Sequence, residues 1–236
     1  MNVCRPTISE AILKLYDEAN IELPSGETAI TPLRDLVGSL NLNCVELCDL
    51  TSRAAVDFLM LRGVPVLASE NINEEQLAGY LHASMNFGCI FVNQTDRVTR
   101  RRFSIAHEIG HYVLHFQPLL DEFKRRGRSI SISVTDTPTA DEVNGGEDRE
   151  GMADTGFALA ISFSDDEIPT ELLPQLEEME READLFACEL LMPPEVVRQL
   201  ASCLGLPKGD LAWRLATDML VSRSTMYRRL DELQLF

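Results

Sequence analysis

The chain has 236 residues, a formal net charge of −17 at pH 7 and 45% hydrophobic residues. Its length allows a buried core in one or two domains, and it contains no run of 18 apolar residues, which argues against a membrane span. The acidic balance argues against direct binding of nucleic acid. The first residues lack the apolar core of a signal peptide and the cysteines are scattered, which favours a cytoplasmic protein with reduced thiols.

The first fifty residues are set apart as an N-terminal extension, and the pattern after them predicts a helix and three strands. The helix is predicted over 52–62 because its apolar residues fall on one side, and Gly63 follows as its end. The strands are predicted where short apolar runs occur, at residues 64–68, 77–82 and 89–93. A small sheet that leads directly into the next helix predicts an α+β core.

Residues 107–111 read His-Glu-Ile-Gly-His, a pattern known as HExxH. On a helix, His107 and His111 project from one face, so two imidazoles can bind one zinc ion. Glu108 lies beside them, placed to act as the general base on water that the zinc activates rather than as a ligand. This spacing predicts a zinc-dependent hydrolytic site if the chain supplies a third ligand.

The segment around this motif is predicted to be a buried helix that ends near Phe116. Thr99 or Ser104 is the expected N-cap, and Pro118 is the expected stop. Gly110 is unusual there because glycine in a helix interior costs roughly 1 kcal/mol against alanine. Either another backbone packs closely at Gly110 or the glycine is merely tolerated, and the sequence leaves both interpretations open.

The remaining histidines do not supply the third ligand. Leu114 and Gln117 stand where the motif HExxHxxGxxH has glycine and histidine, which excludes that class of protease. His115 shares the face of the two ligands, but three residues in a row on one straight helix cannot converge on one ion. His82 is predicted to be a packed or surface histidine, and it and Tyr112 are the weak candidates for stabilising an oxyanion.

A carboxylate further along the chain is the better candidate. Residues 177–191 read as a helix stopped by two prolines, and one stripe of it carries both Glu180 and Asp184. Taken alone, these acids fit a solvated face. Because buried carboxylates need a partner or a metal, the upstream motif favours Glu180 as a ligand and Asp184 as the acceptor for a ligand histidine's ring N–H.

The two motifs together resemble the ImmA/IrrE family of bacterial zinc metallo-endopeptidases. The matching segments are residues 101–115 (RRFSIAHEIGHYVLH), 180–187 (EREADLFA) and 190–193 (LLMP). The resemblance covers about residues 51–195 and implies zinc held by His107, His111 and Glu180, with Glu108 as the catalytic base. It also implies substrates that are helix-turn-helix transcriptional repressors, whose cleavage relieves repression.

Asp184 matches a family position that holds Asn or Asp, whereas the long segment between the motifs departs from the family. An acidic insert is predicted at about 133–175, and residues 133–182 hold 15 acidic residues against two arginines. Residues 97–128 instead carry eight basic residues against three acidic ones. Solvated surfaces explain both, and a sharper hypothesis is that the acidic loop folds over the basic border and limits access to the site.

Residues 196–236 are predicted to form a helical, helix-turn-helix-like C-terminal segment. Two helices are expected at 210–220 and 224–233, with Ser222 as the N-cap of the second. Residues 208–236 hold five basic and four acidic residues, too little positive charge to favour DNA binding. We therefore expect these helices to pack on the core or to dock a partner, with Trp213 as a packing anchor.

The sequence thus favours a zinc endopeptidase that hydrolyses a peptide bond in a partner protein, with a DNA-binding repressor as its expected substrate. The alternative is a non-catalytic, zinc-containing regulatory or DNA-binding protein. The expected fold is a small sheet packed on the HExxH helix and on a second zinc-ligand helix. A sheet edge near the metal could bind an extended substrate by strand addition.

Overall fold

A computed structural model describes residues 5–26, 28–64, 66, 74–136, 157–163 and 173–235. Most of the strand predicted at 64–68 and much of the acidic insert, including residues 137–156, lie outside this described part. Within it, helices surround one mixed sheet and the C-terminal region is helical, so the α+β prediction is confirmed.

The described residues form nine α-helices and one short π-helical segment. The helices are α1 (Ile8–Ala19), α2 (Leu33–Ser39), α3 (Ser52–Leu61), α4 (Val98–His111), α5 (Gln117–Arg125), α6 (Leu176–Leu191), α7 (Pro194–Leu204), α8 (Lys208–Met219) and α9 (Arg223–Glu232). The π-helical segment, Tyr112–Phe116, joins α4 to α5 without a break.

The sheet has five strands in the order β1-β3-β2-β4-β5. The strands are β1 (Leu42–Leu47), β2 (Gly79–Ser84), β3 (Gly88–Asn93), β4 (Ile130–Asp136) and β5 (Phe157–Phe163). β1 runs parallel to β3, and the other neighbouring pairs are antiparallel. Alternate residues of β2 face opposite ways, so Leu81 joins the main core on the α4 side while Tyr80 joins a smaller core with α3.

The N-terminal fifty residues contribute directly to this core. β1 supplies an edge strand to the sheet, and Leu15 of α1 and Leu36 of α2 are buried in the main cluster. The Thr31 hydroxyl donates to the Leu190 carbonyl at 2.8 Å, and Arg102 donates to the Thr31 carbonyl at 3.0 Å. Through these two hydrogen bonds, the N-terminal segment links α4 to α6. The division of the chain into domains at residue 50 stays a prediction.

The helix that carries the HExxH motif differs from its prediction at both ends. It begins after Arg97, and neither Thr99 nor Ser104 caps it, because both residues lie inside the helix. The helical path also continues past Pro118 to Arg125. The proline is tolerated because it occupies the first turn of α5, where its missing N–H removes little, and the π-helical segment before it resets the hydrogen-bond register.

The C-terminal helices pack on the core, with Leu211, Leu215 and Leu230 buried in the main cluster. Ser222 caps α9 as predicted, accepting a hydrogen bond from the Thr225 N–H. The expectation for Trp213 was wrong: its side chain faces outward on α8 and is 60% exposed. Among the described residues, no helix has the length and apolar character needed to cross a membrane.

Candidate metal centre

The candidate site lies between α4 and α6, which approach closely at Gly110. A Cβ built on this glycine would lie 3.1 Å from the Phe186 Cβ and 3.2 Å from the Ala183 Cα. Contacts this short are tighter than most Cβ atoms make, so even a methyl group would require the neighbouring atoms to shift by a few tenths of an ångström. Of the two interpretations left open by the sequence, the structure supports close packing of another backbone.

This packing brings the donor atoms of His107, His111 and Glu180 within 4.8 Å of one another. The two histidine Nε2 atoms are 2.9 Å apart. Glu180 places Oε1 2.8 Å from the His111 Nε2 and Oε2 3.5 Å from the His107 Nε2. Three groups from two helices, 69 positions apart between His111 and Glu180, therefore converge on one small volume.

Asp184 lies one helical turn beyond Glu180 and binds the far side of the first histidine. The His107 Nδ1 donates to the Asp184 Oδ1 at 2.9 Å, although the aspartate side chain is 60% exposed. A proton held on Nδ1 leaves Nε2 with its lone pair directed into the cluster. Such a carboxylate fixes the tautomer and the ring orientation that metal binding requires.

Burial and the neighbouring charges favour the protonation states of metal ligands. Burial lowers the pKa of His111 to about 4, with the His107 charge acting in the same direction, so its imidazole is neutral near pH 7. Burial on its own would raise the pKa of Glu180, but hydrogen bonds and charge interactions with both histidines lower it to about 2. Neutral imidazoles and an ionised carboxylate are the forms that bind zinc.

The donor set fits a zinc ion. Two imidazole nitrogens and one carboxylate oxygen at these separations can all lie about 2.0–2.2 Å from a single ion. Three protein ligands of this type leave a fourth position free, which distinguishes catalytic zinc sites from closed structural ones. The burial of both histidines, with Glu180 partly buried beside them, also supplies the low-dielectric surroundings that such a site needs.

Glu108 directly follows His107 in sequence, but its side chain points toward the sheet. Its side chain is fully buried and contacts Gly79 at the start of β2. A Cβ on Gly79 would approach the Glu108 Oε1 and would lie 3.2 Å from its Cδ. Sequence reasoning missed Gly79, because a glycine before a strand gives no sign of the residue it will meet.

The other residues considered from the sequence lie outside the cluster. His115 donates from Nε2 to the Met179 carbonyl at 3.3 Å, so it braces the start of α6. His82 pairs with Cys89 across β2 and β3, on the sheet face covered by α3, so it cannot stabilise an oxyanion at this site. Tyr112 has its pKa raised by burial and by Asp121 and Glu18, which are not part of the cluster.

Comparison with known protein families indicates a metallopeptidase. Residues 64–131 match the family model Peptidase M78, described as the IrrE N-terminal-like domain. The matched segment contains Gly79 and the whole HExxH motif but ends before α6. No curated protein shows significant similarity to the chain. The match supports assignment of the chain to the ImmA/IrrE family, through residues 64–131, and with it a metallopeptidase function.

Proposed function

We propose that this protein is a zinc-dependent endopeptidase that cleaves a helix-turn-helix transcriptional repressor. The observation that carries the proposal is the convergence of His107, His111 and Glu180, together with the fully buried Glu108 that directly follows His107 on α4. We assign the first three as zinc ligands, Glu108 as the catalytic base and Asp184 as the group that orients His107.

Zinc in this position would polarise the scissile carbonyl and lower the pKa of water near it. Glu108 takes a proton from that water as the water oxygen bonds to the carbonyl carbon. The same carboxyl group then returns the proton to the amide nitrogen as the C–N bond breaks, so the atoms and charges balance. The complete burial of Glu108 strengthens its electrostatic interaction with the reacting atoms.

Exposure indicates the direction from which a peptide reaches the site. Glu108 and His111 are fully buried, whereas the side chain of Glu180 is 17% exposed and that of Asp184 is 60% exposed. The more accessible side of the cluster is therefore the one formed by α6. We place the entry of the substrate on that side.

Strand addition beside Glu108 is not favoured by the sheet order. β2, the strand that contacts Glu108, has β3 on one side and β4 on the other within the described sheet. A peptide added at the outer edge of β1 or β5 would lie about 14 Å from β2, at roughly 4.8 Å per strand. Such a peptide could not reach the base while the sheet keeps this order.

The proposed substrate depends on the family resemblance alone. The test must therefore separate the identity of the substrate from the peptidase activity. Zinc-loaded protein is mixed with a candidate helix-turn-helix repressor from the same genome and, separately, with labelled casein, and mass spectrometry identifies any new termini. We expect the repressor to be cut at a defined bond. Cleavage of casein alone would support an endopeptidase with another substrate, and cleavage of neither would count against the proposal.

Glu108→Gln is the matched variant for the mechanism, because it keeps the shape of the side chain and removes the base. We expect at least a 100-fold loss of cleavage with nearly unchanged zinc binding, since general bases contribute about 10²- to 10⁴-fold. Glu178→Gln, an exposed acid in the first turn of α6, serves as the control. A Glu108→Gln variant that cleaves normally would refute the assignment of the base.

The alternative, a non-catalytic zinc-containing or DNA-binding regulator, has less support from the C-terminal helices. Lys208 and Arg214 form ion pairs with Asp231 and Asp218 respectively. Arg229 is buried and donates to the Met192 carbonyl. Three of the five basic residues in this segment are therefore engaged within the protein, which leaves little charge for binding phosphates.

A further inference from the structure

Gly79 meets the proposed catalytic base at the point where the sheet faces α4. A Cβ at this position would contact the carboxylate of Glu108, lying 3.2 Å from its Cδ and 3.4 Å from its Cγ as well as close to Oε1. All three of the nearest atoms belong to the Glu108 side chain. The missing side chain of Gly79 therefore creates the space that the carboxylate occupies.

The backbone on both sides of this contact is held in place. Gly79 pairs with Val92 of β3 and with Asp136 of β4, so its Cα cannot withdraw without breaking the sheet on both sides. On the helix side, the residues flanking Glu108 are His107, a proposed ligand, and Ile109, which is fully buried. When a methyl group is added at Gly79, the flexible Glu108 side chain is what moves.

We propose that Gly79 is a positioning residue that sets the location of the Glu108 carboxylate relative to the zinc ligands. This inference rests on the proposed function, in which Glu108 is the base. A general base acts only within hydrogen-bond reach of the proton it takes, so a carboxylate displaced by the width of a methyl group loses its role. The three atoms nearest a Cβ at Gly79 all belong to Glu108, so we expect the proposed zinc ligands to keep their positions.

The first test compares Gly79→Ala with Gly38→Ala in the full-length, zinc-loaded protein acting on the repressor defined above. Gly38 lies exposed in α2, and a Cβ there has no neighbour within 4 Å. We expect Gly79→Ala to lower kcat about 100-fold, with KM and zinc affinity changed less than about threefold. Gly38→Ala should leave all three unchanged. A Gly79→Ala variant with wild-type kcat would overturn the inference.

The second test needs no substrate. Gly79→Ala is introduced into the wild-type chain and into Glu108→Ala, and the urea midpoints of the four proteins are compared. We expect Gly79→Ala to lower the midpoint of the wild-type chain but not that of Glu108→Ala, because the side chain it displaces is then absent. An equal decrease in both backgrounds would overturn the inference.

These outcomes separate the inference from the proposed function. If Gly79→Ala alone fails to fold but the double variant folds and binds zinc, the contact with Glu108 is confirmed; if neither folds, the inference is wrong. An active Glu108→Gln variant would refute the proposed base. Inactive Glu108→Gln together with fully active Gly79→Ala would refute only the positioning role.

Discussion

Replacing Gly110 with alanine tests whether the distance between α4 and α6 controls the metal site. The new Cβ would lie 3.1 Å from two atoms of Phe186 and 3.2 Å from the Ala183 Cα, about 0.2–0.3 Å short of an ordinary contact. One of these neighbours is a backbone atom, so relief requires the two helices to separate by a similar distance. Glu180 would then move away from both histidines.

Two opposing contributions set the size of the effect. Alanine in a helix interior is about 1 kcal/mol more favourable than glycine. Forcing an extra methyl group into a packed interface costs about 1–3 kcal/mol. We therefore expect a net destabilisation of about 1 kcal/mol in the metal-free protein. Because metal sites tolerate distance changes of only about 0.2 Å, we also expect zinc affinity to fall about tenfold.

Urea unfolding of the metal-free protein measures the first effect, and competition with a chromogenic chelator measures the second. Gly38→Ala is the matched control, since it adds the same methyl group to a helix with no neighbour within 4 Å and should stabilise by up to about 1 kcal/mol. If Gly110→Ala also stabilises the protein and leaves zinc affinity unchanged, close packing at Gly110 does not control the site.

Further predictions concern three other side chains. Asp184→Ala should weaken zinc binding about 10- to 100-fold by freeing the His107 ring, whereas Glu178→Ala should not; chelator competition decides. Burial lowers the pKa of His82 to about 4, so stability should be lost as the pH falls from 6.5 toward 4, where only the unfolded state binds the proton. Over this pH range, urea unfolding should show that the His82→Gln variant loses up to about 3 kcal/mol less stability than the wild-type protein. Equal losses of stability in the two proteins would refute this prediction. Trp213→Ala should change the free energy of unfolding by less than about 0.5 kcal/mol because the side chain is exposed, whereas a loss near 3 kcal/mol would mean that it packs.

The parts of the site that follow from residue spacing could be predicted from the sequence. His107 and His111 share a face because they are one helical turn apart, and Glu180 and Asp184 repeat that spacing on α6. The sequence could not decide why Gly110 is a glycine, because the answer depends on the helix that packs against it, α6. A contact between segments far apart in the chain leaves no local pattern.

The sheet was predicted less completely, because the sequence analysis did not identify three of its strands, β1, β4 and β5. β1 lies in a segment set apart as an extension, yet it is an edge strand paired with β3. β4 borders the acidic insert and β5 lies within it. The high charge of the insert drew attention away from residues 157–163, where large apolar residues alternate with small ones. That alternation was the available signal. The π-helical segment had none, because its register depends on packing around the proline that follows it.

The proposed ligands lie on two separate helices, which has a consequence for chain entropy. An ion bound by His111 and Glu180 closes a loop of 68 intervening residues, in the manner of a removable cross-link. The entropy cost of closing a loop grows only logarithmically, by about 0.6 kcal/mol for each doubling of its length. The segment between the helices can therefore lengthen greatly with little effect on the affinity for the ion, because the ligands belong to packed helices and not to the segment itself.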